Sequence, residues 1–285
     1  MPEAVAPMQV VLQRAVDRLR HEGIPDSRRQ VFSIWSEISG DRWSAVLGQC
    51  RVPEADKVDR FVQAIERRAQ GEPLAYVTGT IGFRHLTVQT DRRALIPRPE
   101  TEGLVDLLLQ RVRGGVVADV GTGTGCLALS LALEGGFDQV LAIDNSHDAL
   151  ELARQNVAAT SARSPARVIQ GDLCTSLAGG TLDALVSNPP YLSTDEYAAL
   201  DPSVRDWEPA AALIAGADGL EITSRLLNEA RGLLRPGGWL ALEVDCSRAD
   251  RAAQHAVRSG WENVSIHQDL FGRERYVLAQ RSESL

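Results

Sequence analysis

Apolar residues in the N-terminal part of the chain recur with helical spacing. Leu12, Val16 and Leu19 fall at i, i+4 and i+7, and Gly23 closes that segment. Val31, Ile34 or Trp35, and Ile38 repeat the pattern, with Asp26 or Ser27 as the expected cap. A short third segment is expected around Trp43–Leu47. Pro53 then opens a longer one, with Val58, Phe61, Val62, Ile65 and Ala69 inward and Gly71 as its stop. Four short amphipathic helices predict a small bundle whose Met and aromatic positions form its core. The period changes over residues 81–90, IGFRHLTVQT, which predicts a hairpin. ALIPRPETEGLVDLLLQRV then leads into a new helix with Leu104, Leu108 and Val112 on one face.

From Gly115 onward, strand-like and helix-like segments alternate. VVADV precedes GTGTG, LALSLALEGG is helical, VLAID is a strand and HDALELARQNVAAT a helix. ARVIQGD and DALVSNPP are strands, DGLEITSRLLNEARGLL a helix and WLALEVD a strand. After a helical stretch at 247–259, ENVSIHQDL and RERYVLAQ read as a closing strand pair. Such alternation predicts an α/β domain with a mostly parallel sheet covered on both faces. The expected division is a helical bundle at 1–80, a hairpin linker at 81–97 and the α/β domain at 98–285.

Composition changes this picture little. The chain has 285 residues, 44% hydrophobic and 24% charged, with no apolar run near the ~18 residues of a membrane span. The N-terminus lacks a basic segment followed by an apolar one, so no signal peptide is expected and the expected compartment is the cytoplasm. Cys50, Cys126, Cys174 and Cys246 form no C-x-x-C pair, and the histidines show no metal-binding spacing, so neither metal nor redox dithiol is expected. Charge is unevenly spread. Residues 1–96 hold 14 Arg/Lys and 12 Asp/Glu, whereas residues 97–285 hold 16 and 26. An acidic C-terminal region counts against a nucleic-acid substrate.

Candidate chemistry sits at strand ends. Gly121-Thr122-Gly123-Thr124-Gly125 falls between the first strand and first helix of the α/β domain, where glycines let a ligand approach the backbone. Asp144 ends the second strand, 21 residues beyond Gly123, and its carboxylate suits both hydroxyls of a ribose. This pattern alone also suits a nicotinamide dinucleotide. The spacing, however, is G-x-G-x-G rather than G-x-G-x-x-G, and a phosphate-free ligand such as S-adenosyl-methionine needs no free helix N-terminus. Asp172 and Leu173 follow the third strand, where they suit an adenine amino group and ring; a polar strand end that caps a turn is the plainer alternative.

The fourth strand stops on Ser187-Asn188-Pro189-Pro190-Tyr191. Two prolines supply rigidity and carbonyl oxygens but no N–H donors. A planar amide or aromatic amine is a poor nucleophile because its lone pair is delocalised. Asn188 Oδ1 and the Pro189 carbonyl are placed to accept its two hydrogens, and Tyr191 to lie against its flat face. Such positioning supplies rate without a strong base.

The chain also carries Gly71–Gly79 (GEPLAYVTG), Gly82-Phe83, Leu95–Glu102 (LIPRPETE), Glu208-Pro209, Asp218-Gly219-Leu220 and Asp269–Arg273 (DLFGR). With the glycine turn and NPPY, this set resembles the HemK/PrmC family, the glutamine-N5 methyltransferases of peptide chain release factors. The resemblance spans nearly the whole chain. It implies a class I methyltransferase domain, Rossmann-like with a mostly parallel seven-stranded sheet, joined by a hairpin linker to a helical domain that holds the release factor. It implies S-adenosyl-methionine as cofactor, S-adenosyl-homocysteine as product, and the glutamine of the Gly-Gly-Gln loop of class I release factors as substrate. It maps cofactor contacts onto Gly121–Gly125, Asp144, Leu173 and Asn188, and substrate contacts onto Asn188–Tyr191. A monomer without nucleic-acid or membrane partners is expected. Arg84, Val244-Asp245 and Leu173 depart from the family pattern, which bears on docking and adenine packing. Arg98 and Glu100 either shape the site entrance or form a surface ion pair.

Other functions remain open at this point. An adenine-N6 methyltransferase on DNA or RNA would use the same tetrad. A binding protein that holds the cofactor or a release factor has no use for two aligned acceptors. A dinucleotide oxidoreductase ranks last.

Overall fold

The computed structural model describes residues 7–40 and 54–283. The chain divides into two compact units, one running to Thr80 and including Pro202–Trp207, the other comprising 81–201 and Glu208 onward.

The first unit is helical. Helices α1 (Met8–His21), α2 (Ser27–Ser39) and α3 (Ala55–Ala69) bury Leu12, Val16, Leu19, Val31, Ile34 and Trp35 together. Trp35 meets Phe61 edge-on, ring centroids 5.4 Å apart. On α3 the inner stripe is Phe61, Ala64, Ile65 and Ala69. Val62, expected inward, is 49% exposed, because it lies one position off that stripe. Neither expected cap acts through its side chain: Asp26 makes no capping bond, and the Ser27 hydroxyl donates instead to the Ile24 carbonyl at 2.6 Å. The expected Trp43–Leu47 segment and Pro53 lie outside the described residues. The GEPLAYVTG stretch forms the short helix α4 (Leu74–Thr78). Buried Glu72 accepts a forked pair from Arg67 at 2.8 and 2.6 Å, and Arg67 reaches the Tyr76 carbonyl at 3.1 Å. Much of this motif therefore braces its own unit.

The second unit is a doubly covered sheet. A hairpin, β1 (Thr80–Phe83) and β2 (Leu86–Gln89), precedes helix α5 (Glu102–Leu109). Strand β3 (Val116–Val120), helix α6 (Cys126–Glu134), strand β4 (Gln139–Asp144) and helix α7 (His147–Ala159) follow. Next come β5 (Ala166–Gln170), β6 (Leu182–Ser187) and the short α8 (Thr194–Ala198). The short helix α9 (Pro202–Arg205) belongs to the first unit. The chain closes with α10 (Glu221–Leu233), β7 (Leu234–Glu243), α11 (Ala249–Arg258), β8 (Trp261–Gln268) and β9 (Glu274–Arg281).

Strands β3 to β9 form a seven-stranded sheet in the order β5-β4-β3-β6-β7-β9-β8. The first five run parallel and the last pairings are antiparallel. Side chains alternate between the faces. Ala118, Val120 and Leu185 pack with α10 and α11, while Val117, Ala184 and Val186 pack with α5 and α6. The strands are thus apolar on both sides, which is why the sequence reads as unbroken hydrophobic runs.

The segment read as a hairpin linker contributes Phe83 and Val88 to the core beside α5 and α6. Arg84 sits in its two-residue turn with φ 51°. Its guanidinium donates to Glu134 at 2.7 and 2.6 Å, to Asp106 at 2.8 Å and to the Glu102 carbonyl at 3.0 Å. The hydrogen bond to Glu134, and then the one to Asp106, hold its pKa above the usual arginine value against the opposing effect of burial. This departure from the family pattern is an inward tie to α5 and α6. No helix among the described residues is long and apolar enough to cross a membrane.

Candidate active site

The glycine turn and the NPPY segment leave two adjacent parallel strands. Asp119 of β3 pairs in register with Val186 of β6. Just beyond that register, the Ser187 hydroxyl donates to the Val120 carbonyl at 2.6 Å and locks the two strand ends together. Both segments therefore open at the carboxyl edge of the sheet, where open α/β sheets bind ligands.

Gly121, Gly123 and Gly125 have φ of 75°, 54° and 83°. A Cβ on Gly121 or Gly123 would meet nothing nearer than 4.0 or 3.8 Å, so backbone conformation rather than space demands glycine there. The N–H groups of Gly121 and Thr122 both donate to the Ile143 carbonyl at 2.8 Å. Gly123 donates to Asp144 Oδ2 and Ser146 to Asp144 Oδ1, each at 2.9 Å. Asp144 is thereby clamped between the turn and the start of α7. The Thr124 carbonyl accepts from Asn156 at 2.9 Å, which pins the far side of the turn to α7.

Asp119, which sequence reasoning passed over as a site residue, lies wholly buried beneath this turn. Its Oδ2 accepts from the Thr122 hydroxyl at 2.6 Å and from Ala128 N–H at 3.1 Å, while Oδ1 has no partner. Burial, with the Asp144 charge adding to it, pushes this carboxyl up to about 7. The Ala128 N–H is in the first turn of α6 and would otherwise serve an anion. Asp119 occupies it. The site thus offers carboxylates and open backbone rather than a phosphate cradle. That donor set fits a ligand with a positive charge and free hydroxyls, as S-adenosyl-methionine has, and does not fit a pyrophosphate.

Asn188 follows β6, and its Nδ2 donates to the Thr101 hydroxyl oxygen at 3.0 Å. Pro189 is buried behind it. Burial and then the Glu243 charge push the Tyr191 phenol up to about 12, so it stays neutral. The tetrad is braced from behind. Leu192 N–H donates to the Leu213 carbonyl at 2.9 Å, and the Leu192 carbonyl accepts from Ala215 at 2.8 Å. Ser193 and Glu196 form a reciprocal capping box at the start of α8. Arg248 donates to Glu196 at 2.6 Å and to the Asp218 carbonyl at 2.8 Å, and its ion pair holds Glu196 down to about 2.

Gly219 sits inside that brace with φ 72°, and a Cβ there would come 2.5 Å from the Tyr191 carbonyl oxygen. Gly219→Ala is expected to lose roughly 3 kcal/mol or more of stability, from left-handed strain plus the clash with backbone. Thermal denaturation with Gly219→Ala beside an exposed Gly180→Ala control measures it; equal losses would show that the close approach is not a constraint.

The LIPRPETE strap is built the same way. Buried Glu208 accepts from Ile96 N–H at 3.0 Å and from Arg98 at 2.5 Å. Arg98 therefore pairs with a buried carboxylate and is not a surface pair. The Tyr276 hydroxyl donates to the Glu100 carbonyl, which fixes the strap just before Thr101.

The strap, β7 and NPPY converge on Glu243, 1% exposed, whose Oε2 has no partner. Burial pushes its carboxyl up to about 7 against the Thr101 hydrogen bond and the Arg275 charge. Thr101 and Glu243 were also missed in the sequence. An acid inside an apolar strand, as in VVADV and WLALEVD, is the signal that marks Asp119 and Glu243.

Asp172 and Leu173 are placed differently. Asp172 follows β5 and pairs with Arg225 at 2.9 Å on an exposed surface. Leu173 adopts φ 49° and packs partly buried against the core beneath the sheet's α10 face. Asp245 caps its own turn through Ser247 N–H at 2.9 Å. The buried thiols of Cys126 and Cys174 are pushed up to about 12 by burial, so neither is a nucleophile.

Known proteins resemble this chain along nearly its whole length. Residues 11–79 match the PrmC N-terminal domain family, and residues 99–201 match the methyltransferase small domain family. A release factor glutamine methyltransferase of Deinococcus radiodurans is 39% identical over 95% of this chain and 98% of its own. One from Salmonella typhimurium is 34% identical over 93% and 95%. Among solved structures, a methyltransferase from Pyrococcus furiosus superposes with a TM-score of 0.54 at 20% identity, over 80% of this chain and all of its own. The catalytic domain of human Mettl16, solved with an RNA hairpin, gives 0.56 at 18% identity over 83% of this chain and 86% of that one. These two likenesses speak to the fold alone, one shared with other methyltransferases. By the near full-length identity to its relatives, the chain belongs to the release factor glutamine methyltransferase family.

Proposed function

We propose that this protein methylates the side-chain amide nitrogen of the glutamine in the Gly-Gly-Gln loop of class I release factors. One observation carries the reading: Asn188 and the Pro189 carbonyl stand beside the Gly121–Gly125 turn, on adjacent strand ends tied by Ser187. S-adenosyl-methionine, when bound, supplies the electrophilic methyl and a good leaving group. Asp144 is the residue to hold its hydroxyls, and the buried Asp119 charge beneath the turn favours its positive charge through space. Asp172 and Leu173 are assigned to the adenine side. The Arg225 pair on Asp172 is exposed and weak enough to yield.

Asn188 Oδ1 and the Pro189 carbonyl accept the two amide hydrogens of the substrate. This holds the nitrogen in place and turns its lone pair toward the incoming methyl. Tyr191, neutral and braced from behind, covers the flat face of the amide. The helical unit is assigned to holding the release factor, and the residues 81–97 to joining it to the catalytic unit. A monomer working in the cytoplasm goes with this reading.

The reading is tested by methyl incorporation from labelled S-adenosyl-methionine into an intact release factor. Label is expected in the wild-type factor and none in a factor whose loop glutamine is replaced by alanine. Equal label in both would overturn the assignment. As a separate check, Asp144→Ala is expected to weaken cofactor binding by at least ~10-fold, since it loses charged acceptor bonds. Calorimetry showing unchanged affinity would refute the ribose role.

A further inference from the structure

We propose that Thr101 and Glu243 are positioning residues that fix which face of the Asn188 amide meets the substrate. The inference rests on the reading of the tetrad above and adds two residues to it. Thr101 is 3% exposed and ends the one-turn 3-10 helix Pro99–Thr101. Its hydroxyl oxygen accepts from Asn188 Nδ2 at 3.0 Å. The same hydroxyl lies close enough to the Glu243 carboxylate to favour its charged form.

The direction of this chain follows from donor counting. A threonine hydroxyl has one proton and two lone pairs. A carboxylate only accepts, so the Thr101 proton turns toward Glu243. What remains on Thr101 is acceptor capacity alone. The Asn188 group that faces it must then be the NH2, which leaves Oδ1 turned the other way. A substrate amide presents N–H, and it needs an acceptor there. Reversed, Asn188 would meet N–H with N–H, and the nitrogen would not be held. Both Glu243 and Thr101 are buried, so water does not stand in for either. The strap is itself fixed at two points just before Thr101, by Arg98 on Glu208 and by Tyr276 on the Glu100 carbonyl.

Protonation of Glu243 would undo the direction. A neutral carboxyl donates, and the Thr101 proton is then free to turn toward Asn188. The groups facing Glu243 are Arg275 and Tyr276 from β9, Arg98 and Glu100 from the strap, and Tyr191 from the tetrad. Arg98 and Arg275 favour the charged form, while Glu100 and burial oppose it. Tyr191 and Tyr276 are held neutral, pushed well above neutral pH by burial. Glu243 is the member of this group that titrates near neutrality.

The experiment compares wild type, Thr101→Val, Thr101→Ser and Glu243→Gln in single-turnover methyl transfer to a release factor at saturating cofactor. Calorimetric cofactor affinity and thermal midpoints serve as controls for folding. Thr101→Val keeps the shape and removes the hydroxyl. Its turnover is expected to fall roughly 100-fold, the scale seen when one preorganised hydrogen-bond group is lost, with KM for the release factor little changed. Thr101→Ser is expected to recover most of that loss. Glu243→Gln still accepts from Thr101 but does not titrate, so the acid limb of the wild-type pH profile should flatten. Thr101→Val turning over within ~3-fold of wild type would overturn the relay, as would Thr101→Ser being no better than Thr101→Val. An unchanged acid limb in Glu243→Gln would remove Glu243 from it. If wild type methylates adenine instead of glutamine, the functional reading fails, but the Val–Ser comparison still reads the relay on that substrate.

Discussion

Asn188→Ala is expected to lower turnover by roughly 10²–10³-fold while the protein stays folded. The side chain follows β6 at the open edge of the sheet and fills no core position, so truncation leaves no large cavity. What disappears is the acceptor that holds one hydrogen of the substrate nitrogen. The Pro189 carbonyl then acts alone, and the nitrogen is free to rotate away from the methyl. Because the interaction matters most as the nitrogen attacks, the loss belongs in kcat rather than KM. Steady-state kinetics on a release factor measure this, with thermal denaturation as the control. A variant within ~3-fold of wild-type turnover would mean that NPPY does not position the nucleophile.

The second large effect has opposite signs in two measurements. Asp119→Asn is expected to stabilise the cofactor-free protein and to weaken cofactor binding. Both existing bonds to Asp119, from Thr122 and Ala128, go to the same oxygen, Oδ2. An asparagine carbonyl in that place keeps them. The unpartnered Oδ1 becomes an NH2, and a buried charge is removed. The sign follows from the carboxyl being pushed up to about 7 in the folded chain. Below its unfolded value, near pH 4, Asp119 is protonated in both states and costs nothing. As pH rises from ~4 to ~7 the unfolded chain ionises first, and stability drains away. Above ~7 the full cost stands, on the order of 4 kcal/mol. The gain for Asp119→Asn should therefore appear at pH 8 and vanish near pH 4. Cofactor affinity at pH 8 should fall roughly 10-fold, because the buried negative charge that attracts the cofactor's cation through a low-dielectric interior is gone. Denaturation at both pH values, with calorimetry at pH 8, reads both signs. A variant less stable at pH 8 and equal to wild type in affinity would contradict the role given to the Asp119 charge.

The contrast between these two residues shows what a sequence of this kind reveals. Asn188 was legible because its neighbours are unusual: an amide and two prolines at a strand end have few purely structural uses. The glycine turn was legible for the same reason, and the structure requires φ values that only glycine adopts easily. The sheet was legible because unbroken apolar runs alternate with helical periods. Asp119, Thr101 and Glu243 were not read: Thr101 looks like an ordinary strap residue, and the lone acids within apolar strands carry a signal that was passed over. Thr101 matters through Asn188 and Glu243, 87 and 142 positions away, and Asp119 through burial beneath a local turn, none of which a motif displays. Asp172 shows what a strand-end position does not reveal: the fold also gives it an arginine partner, which a ligand there would have to displace. Val62 was assigned inward by type, although the stripe that packs runs through Ala64. Arg84 looked like a change at the docking face and proved to be a tie between the hairpin and two helices.

The most direct test of the whole account uses purified protein, S-adenosyl-methionine, a class I release factor, and DNA and RNA together in one reaction. Peptide and nucleoside mass spectrometry then locate each added methyl. The account predicts one methyl on the amide nitrogen of the Gly-Gly-Gln glutamine and none on any base. A methyl found only on adenine would contradict it, leaving the tetrad's chemistry in place but its substrate wrong.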